Sequence, residues 1–123
     1  MRIRISWSGG EVLGELNDSA AARSILEVLP CTSEANTWGE EVYFSLPVTI
    51  ALDPNATDVV EPGTICYWVQ GKCLALPFGP TPVSRRKECR LVTAVNILGK
   101  LDGNPRVLAG IRDGDAVTVA PAT

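Results

Sequence analysis

Apolar and polar residues alternate in short runs along most of this chain. Ile3, Ile5 and Trp7 fall on one face of the first run. A glycine pair, Gly9-Gly10, follows it, and a second run over 11–16 brings the chain back. A period of two indicates strands, and glycines between two such runs indicate a hairpin. The predicted strands are 2–7, 11–16, 41–45, 47–52, 64–68, 73–78, 91–98 and 116–120.

One stretch has helical spacing instead. Apolar residues within 19–28 recur every three or four positions, as on one face of a helix. Asn17 and Asp18 precede this stretch with side-chain oxygens that can cap a helix, and Pro30 ends it. A second short helical turn is predicted at 107–111.

Eight short strands with one or two short helices favour a mainly β fold. We expect a closed eight-stranded barrel, because closure leaves no strand edge exposed. The chain has 123 residues, and its 11 glycines and 9 prolines stand at the edges of the apolar runs, where turns are expected. No repeat or linker divides the chain, so residues 1–123 are interpreted as a single domain.

The charge balance argues against some partners. Fourteen acidic and eleven basic residues give a net charge of −3, whereas nucleic-acid binding depends on basic groups that neutralise phosphates. No apolar run approaches the roughly 18 residues of a membrane span. The first residues alternate charged and apolar, unlike a signal peptide. We therefore expect a cytoplasmic protein that binds neither nucleic acid nor a membrane, and the sequence leaves open whether it forms an oligomer.

Four cysteines, Cys31, Cys66, Cys73 and Cys89, lack the spacing of a metal site. They form no C-x-x-C pair, and the chain contains no histidine. They are interpreted as small buried residues that stay reduced, with a redox role for Cys66 and Cys73 across a hairpin as the alternative. The lack of histidine also removes Ser/His and Cys/His nucleophile pairs. We expect no metal and no cofactor.

Several segments of the chain resemble a known family when taken together and in order. They are 36–44 (NTWGEEVYF), 63–72 (GTICYWVQGK), 78–82 (FGPTP) and 95–103 (VNILGKLDG). They resemble the small prokaryotic cyclophilin-like proteins, which are stand-alone domains without a settled activity. The resemblance covers essentially the whole chain, and it implies an eight-stranded barrel capped by helices.

The resemblance also bears on activity. In true cyclophilins a cleft on the outer face of the barrel binds proline-containing peptides. An arginine that follows a Phe-His pair lowers the peptide rotation barrier of roughly 18–20 kcal/mol. The matching strand here, 41–45, has neither arginine nor histidine, and 73–76 differs from the Gln-Phe-Phe segment of the true cleft. We therefore expect a cleft without prolyl isomerase activity.

Aromatic residues are concentrated in the middle of the chain. Such rings suit a pocket wall because they combine apolar area with a polar group in Tyr and Trp, and the alternative is core packing. Neighbours on a strand point to opposite faces, so we expect one ring of each adjacent pair to line a surface cleft. Six of the seven aromatics are candidates, namely Trp38, Tyr43, Phe44, Tyr67, Trp68 and Phe78.

Glu40, Glu41 and Thr81 are the polar candidates. Adjacent acids on a strand point to opposite faces, which argues against a catalytic pair of carboxylates. One of them is expected in the cleft as an acceptor for a cation or an amide, with solvent-facing or loop-bonded carboxylates as the alternative. Thr81, between two prolines, either offers its hydroxyl to a ligand or stabilises a turn.

These observations predict a binding module that holds a small molecule or a short peptide in an aromatic cleft. Its candidate ligand-binding residues are Trp38, Glu40, Tyr43, Phe44, Tyr67, Trp68, Phe78 and Thr81. Two alternatives stay open. One is a divergent prolyl isomerase, and the other is a small enzyme that uses Glu40 or Glu41 as a general base.

Overall fold

The computed structural model describes residues 1–122, which contain ten strands, and nine of these form one nearly closed barrel while the strand Thr57–Val60 pairs only with the strand Cys89–Leu101. Two short helices accompany the strands. The elements are β1 (Arg2–Trp7), β2 (Gly10–Leu16), α1 (Ala20–Glu27), β3 (Cys31–Glu34), β4 (Asn36–Thr37), β5 (Glu41–Ser45), β6 (Thr57–Val60), β7 (Thr64–Trp68), β8 (Cys73–Pro77), β9 (Cys89–Leu101), a 3₁₀ helix (Pro105–Gly110) and β10 (Ala116–Pro121).

The sheet begins and ends on the same stretch of chain. Its order is β3-β10-β1-β2-β9-β7-β8-β5-β4, so β3 and β4, which follow each other in sequence, stand at its two ends. Ala35 lies between them, donates its N–H to Asp115 O at 2.8 Å and accepts from Gly114 N–H at 2.9 Å. The hydroxyls of Ser33 and Ser45 hydrogen-bond across the seam at 3.2 Å. The chain thus changes sheet partner at Ala35, which nearly closes the barrel.

The barrel interior is filled by the inward-facing residues of the strands, as the alternating pattern predicts. Ile3 and Ile5 of β1 are fully buried. The helix α1 adds Ala22 and Ile25 to the core, and the hydroxyl of Ser19 caps it by accepting from Ala22 N–H at 3.1 Å. None of the helices in residues 1–122 is long and apolar enough to cross a bilayer.

The predicted strand at 47–52 is wrong, because residues 46–56, called here the 46–56 loop, have no strand. Hydrogen bonds from side chains of the barrel hold this loop in place, and no backbone hydrogen bonds of a strand ladder do so. Asn96 accepts from Asp53 N–H at 2.7 Å and donates to Ala51 O at 3.0 Å. The hydroxyl of Tyr67 donates to Val48 O at 2.7 Å. Apolar alternation therefore marked a segment that packs on the barrel without joining it.

The strand count also differs from the eight that were expected. The strands β3, β4 and β6 are four residues long or shorter, and none of their residues is fully buried. These three strands form because neighbouring strands pair with them. Their sequences show no apolar alternation from which they could have been predicted. Cys66 lies opposite Ala75 and Cys73 opposite Trp68, so the two thiols are not the cross-strand pair considered above. All four cysteines are free.

The long strand β9 belongs to two sheets. Its second half pairs with β2 and β7 in the barrel, and its first half pairs with β6, with Val60 opposite Cys89 and Val59 opposite Arg90. Each of the two pairings contains one irregularity in register, at Thr57/Val59 and at Ile65/Cys66. The first half of β9 and β6 form what is called here the outer ribbon.

Candidate functional site

The outer ribbon covers part of the outer face of the barrel and builds a second apolar cluster there. Leu91 and Val95 from the ribbon pack with Cys66 of β7 and Ala75 of β8, and all four are at most 3% exposed. This cluster is separate from the barrel core. Burial of apolar side chains on both faces therefore fixes the wall of β7 and β8 rigidly at this point.

A pocket of about 250 Å³ lies where the ribbon meets β5, β7 and β8. We call it the ribbon groove. Its lining is apolar and aromatic with a single carboxyl group, and it consists of Trp38, Glu41, Tyr43, Trp68, Ala75, Leu91, Val92 and Val95.

Alternation along β5 aims Glu41 and Tyr43 outward, while Val42 and Phe44 point into the barrel. Val42 and Phe44 are at most 1% exposed and belong to the core. A tight turn places Trp38 beside the start of this strand, because its backbone N–H donates to Glu41 O at 3.0 Å. Gly39 occupies the turn with φ of +60°, a conformation that L side chains rarely adopt.

Glu41 is the unusual residue of the ribbon groove. Its side chain sits in an apolar surrounding, and the residue is only 7% exposed. Within residues 1–122, its Oε1 is the one buried side-chain nitrogen or oxygen without a hydrogen-bond partner. Burial raises the pKa of this carboxyl group from 4.5 to about 7, because desolvation disfavours the charged form. A buried polar group without a partner is costly, which makes it a candidate for contact with a ligand.

The thiols near Glu41 do not offset the cost of burying its carboxyl group. Burial, and to a smaller extent the charge of Glu41, raise the pKa of the Cys66 and Cys73 thiols above their ordinary value. Burial likewise raises the pKa of Cys89 to about 11. These thiols therefore stay neutral at physiological pH, and they add no charge beside the carboxyl group.

The aromatic wall of the ribbon groove is held in one geometry. The rings of Tyr43 and Trp68 meet edge to face, with centroids 5.9 Å apart and planes at 87°. The indole N–H of Trp68 donates to Thr93 Oγ1 at 3.1 Å, and Thr93 in turn donates to Gln70 at 3.2 Å. Gly71 lies against the ring so closely that a Cβ there would overlap it. The ring of Trp68 is therefore fixed from two sides.

Glu40 points away from Glu41 and is engaged elsewhere. Arg106 of the 3₁₀ helix contacts its carboxylate at 2.6 Å, and the same guanidinium lies 5.8 Å above the ring of Phe78. A second pocket of about 280 Å³ lies on this side and includes Glu40, Phe78 and Leu108 in its lining. Glu41 is thus among the lining residues of both pockets.

Thr81 does not offer a free hydroxyl to the ribbon groove. It is 7% exposed, its hydroxyl contacts Arg90 O, and its backbone N–H donates to Ser84 Oγ at 2.8 Å. Of the two interpretations of Thr81, this agrees with the turn, because its hydroxyl is occupied by a backbone carbonyl.

The comparisons with known proteins address the whole chain. Residues 1–120 match the model of the Cyclophilin-like family. This chain belongs to the cyclophilin-like family. Among solved structures, the solution structure of the hypothetical protein AF2241 from Archaeoglobus fulgidus is similar, with a TM-score of 0.85 and 39% sequence identity. The likeness covers 99% of this chain and 95% of that chain. A search of curated proteins gives no match.

In this cyclophilin-like chain the candidate residues divide into three places. Trp38, Tyr43 and Trp68 come together with Glu41 at the ribbon groove. Phe44 and Tyr67 do not reach it, because both are 0% exposed in the barrel core, and their assignment to the cleft is wrong. The remaining candidates, Glu40, Phe78 and Thr81, lie outside the lining of the groove.

Sequence reasoning missed the three of the eight lining residues that the outer ribbon supplies. Leu91, Val92 and Val95 fell in a predicted strand, but nothing in their pattern showed that this strand leaves the barrel. Val92 is 54% exposed, and it forms the rim of the groove. Among residues 1–122 no group of three His, Cys, Asp or Glu side chains is placed to hold a metal ion.

Proposed function

We propose that this cyclophilin-like domain is a binding module that holds a small molecule or a short peptide segment in the ribbon groove. One observation carries the proposal: Glu41 is more than nine-tenths buried in the lining of an apolar and aromatic groove, and its Oε1 has no hydrogen-bond partner. Ligand pockets typically combine an apolar wall with a few polar groups that orient the ligand. Glu41 is the polar group of this kind here.

The shape of the groove supports a ligand rather than a folded partner. A volume of about 250 Å³ is enough for a small molecule or one or two side chains of a peptide. The fixed rings of Tyr43 and Trp68 favour binding, because a preorganised site loses little conformational freedom when the ligand enters.

The three tryptophans of the chain provide the test. Trp38 and Trp68 line the groove, whereas Trp7 lies in β1 and packs against Gly9 and Gly10. A fragment library is added to isotope-labelled protein, and the three indole N–H signals are followed by NMR. We expect ligands to shift the signals of Trp38 and Trp68 and to leave that of Trp7 unchanged. Equal shifts at all three, or a set of ligands that moves only Trp7, would contradict the proposal.

We further propose that the domain does not accelerate prolyl isomerisation. The outward positions of β5 are Glu41, Tyr43 and Ser45. None of these side chains is a positively charged donor that could form a hydrogen bond to a peptide nitrogen. A proline-containing test peptide is expected to isomerise at the same rate with and without the protein. Acceleration that is lost on substitution of Trp68 by Ala would instead support the divergent isomerase.

A second candidate function rests on the pKa of Glu41. A carboxyl group with a pKa of about 7 is partly ionised at neutral pH, which is the range of an effective general base. Glu40 lacks this property, since Arg106 engages it. An enzyme of this kind would convert a groove ligand into a product. Each ligand found above is therefore incubated with the protein, and its NMR signals are followed. Product formation that disappears in Glu41→Gln would support catalysis, and an unchanged ligand would support binding alone.

A further inference from the structure

The ribbon groove combines one carboxyl group with three aromatic residues in the same lining, and this combination indicates the ligand class. Glu41 borders the same pocket as Trp38, Tyr43 and Trp68. Indole and phenol faces attract cations through their quadrupole, and aromatic cages of this kind recognise alkylated ammonium groups. An anionic oxygen in the same site adds a direct counter-charge and a hydrogen-bond acceptor.

The chain itself does not supply a cation to Glu41. The two arginines that flank the groove are engaged, since Arg106 contacts Glu40 at 2.6 Å and Arg90 contacts Glu88 at 2.6 Å and Asp58 at 2.9 Å. Among the salt bridges between residues 1–122, none involves Glu41. No cation among residues 1–122 therefore pairs with this carboxyl group, which leaves its ionised form able to accept a positive partner from outside the chain.

We propose that the ribbon groove binds a protonated alkylamine, with an N–H donated to Glu41 Oε1 and the alkyl substituents against Trp38, Tyr43 and Trp68. This inference rests on the proposed function and specifies its ligand. The ammonium must carry at least one hydrogen, because Oε1 needs a donor. It must also carry apolar substituents, because the remaining lining is aliphatic and aromatic and a fully hydrated ammonium is costly to desolvate there.

Binding of such a cation is coupled to the ionisation of Glu41. The free carboxyl group is protonated below its pKa of about 7, and only the ionised form attracts the ammonium. The other groups that face it are the thiols of Cys66 on β7, Cys73 on β8 and Cys89 on β9. Tyr43 lies on β5, the same strand as Glu41. The ion pair of Glu40 with Arg106 lies on the side of the 3₁₀ helix.

The test uses three small compounds of nearly equal shape. They are dimethylethanolammonium, which has one N–H, choline, which has a charge but no N–H, and 3,3-dimethylbutan-1-ol, which has neither. Dissociation constants are measured at pH 8 from the indole N–H signals of Trp38 and Trp68. We expect dimethylethanolammonium to bind about tenfold more tightly than choline, because a hydrogen bond to a charged group is lost. The neutral alcohol is expected to bind most weakly.

Two variants and a pH series complete the experiment. The affinity of the wild-type protein for dimethylethanolammonium, which stays protonated throughout, is expected to rise about fiftyfold from pH 5 to pH 7 and to level off above. Glu41→Gln keeps the shape but removes the charge, so the pH dependence disappears and the affinity at pH 8 falls about tenfold or more. Glu40→Gln, the matched control on the neighbouring residue, retains both properties.

The possible failures are distinct. If the neutral alcohol binds as tightly as dimethylethanolammonium at pH 8, the ammonium assignment is overturned and the groove remains a site for neutral ligands. If none of the three compounds moves the signals of Trp38 and Trp68 at high millimolar concentration, the assignment is overturned as well. The fragment screen described above then decides separately whether the proposed function stands.

Discussion

Substitution of Glu41 by Gln should stabilise the protein at alkaline pH and leave it nearly unchanged in acid. In the folded protein the pKa of Glu41 rises from 4.5 to about 7, so the folded chain holds a proton that the unfolded chain releases between these values. Stability therefore falls as the pH rises from 4.5 to 7 and stays lower above 7. The amide side chain of the variant carries no charge at any pH, so this loss should vanish.

The magnitude follows from the two pKa values. A tenfold change in proton affinity corresponds to about 1.4 kcal/mol, so a carboxyl group whose pKa rises from 4.5 to about 7 costs the folded state about 3 kcal/mol above pH 7. The residue is only 7% exposed, so solvent screening reduces this figure little. We expect Glu41→Gln to raise the free energy of unfolding by about 3 kcal/mol at pH 8 and by less than about 1 kcal/mol at pH 4.

Urea denaturation of the wild-type protein, Glu41→Gln and Glu40→Gln at several pH values between 4 and 8 measures the effect. The difference between the wild-type protein and each variant removes the background of other titrating groups. Glu40→Gln breaks the contact with Arg106 and should not reproduce the pH dependence. A difference between the wild-type protein and Glu41→Gln that stays constant from pH 4 to pH 8 would refute the reasoning, because it would mean that Glu41 ionises normally in the folded state.

Three further substitutions test the supports of the site and of the loop behind it. Gly71→Ala places a Cβ that overlaps the ring of Trp68, so its indole signal should shift and groove ligands should bind at least about tenfold more weakly while circular dichroism stays unchanged. Asn96→Ala removes two hydrogen bonds to the backbone of the 46–56 loop, and urea denaturation should show a loss of about 2–3 kcal/mol with faster proteolysis in that loop. Tyr67→Phe removes one hydroxyl bond to the same loop and should cost about 1 kcal/mol in the same assay, without effect on groove ligands.

The sequence predicted most of the barrel because alternation is a local property. The strand at 2–7 follows directly from apolar residues at every second position, those at 64–68 and 116–120 are short apolar runs that follow turn residues, and the structure places strands at all three. The helix was predicted from its spacing, but Ser19 caps it and not Asn17 or Asp18, which were expected to do so. The segment 47–52 misled this reasoning, since its residues pack on the barrel through side-chain hydrogen bonds and make no strand ladder.

For the candidate site, the sequence identified two pairs of adjacent aromatic residues, but it could not show which member of each pair lies on the outer face of the barrel. Alternation required that Tyr43 and Phe44 point to opposite faces, and likewise Tyr67 and Trp68. The structure places Tyr43 and Trp68 outside, because the apolar neighbours of Phe44 and Tyr67 lie inside the barrel. Which face of a strand becomes the interior of the barrel is decided only when the sheet curves and closes.

The sequence by itself determined the periodicity, and with it most of the long strands, the short helix and a mainly β fold, since these depend on interactions between residues close along the chain. Only the tertiary structure decided which of Glu40 and Glu41 is buried without a partner, and that the first half of β9 leaves the barrel to cover its outer face. Both features depend on contacts between segments distant in sequence. Burial and electrostatic environment arise from such contacts, so they are absent from any local pattern.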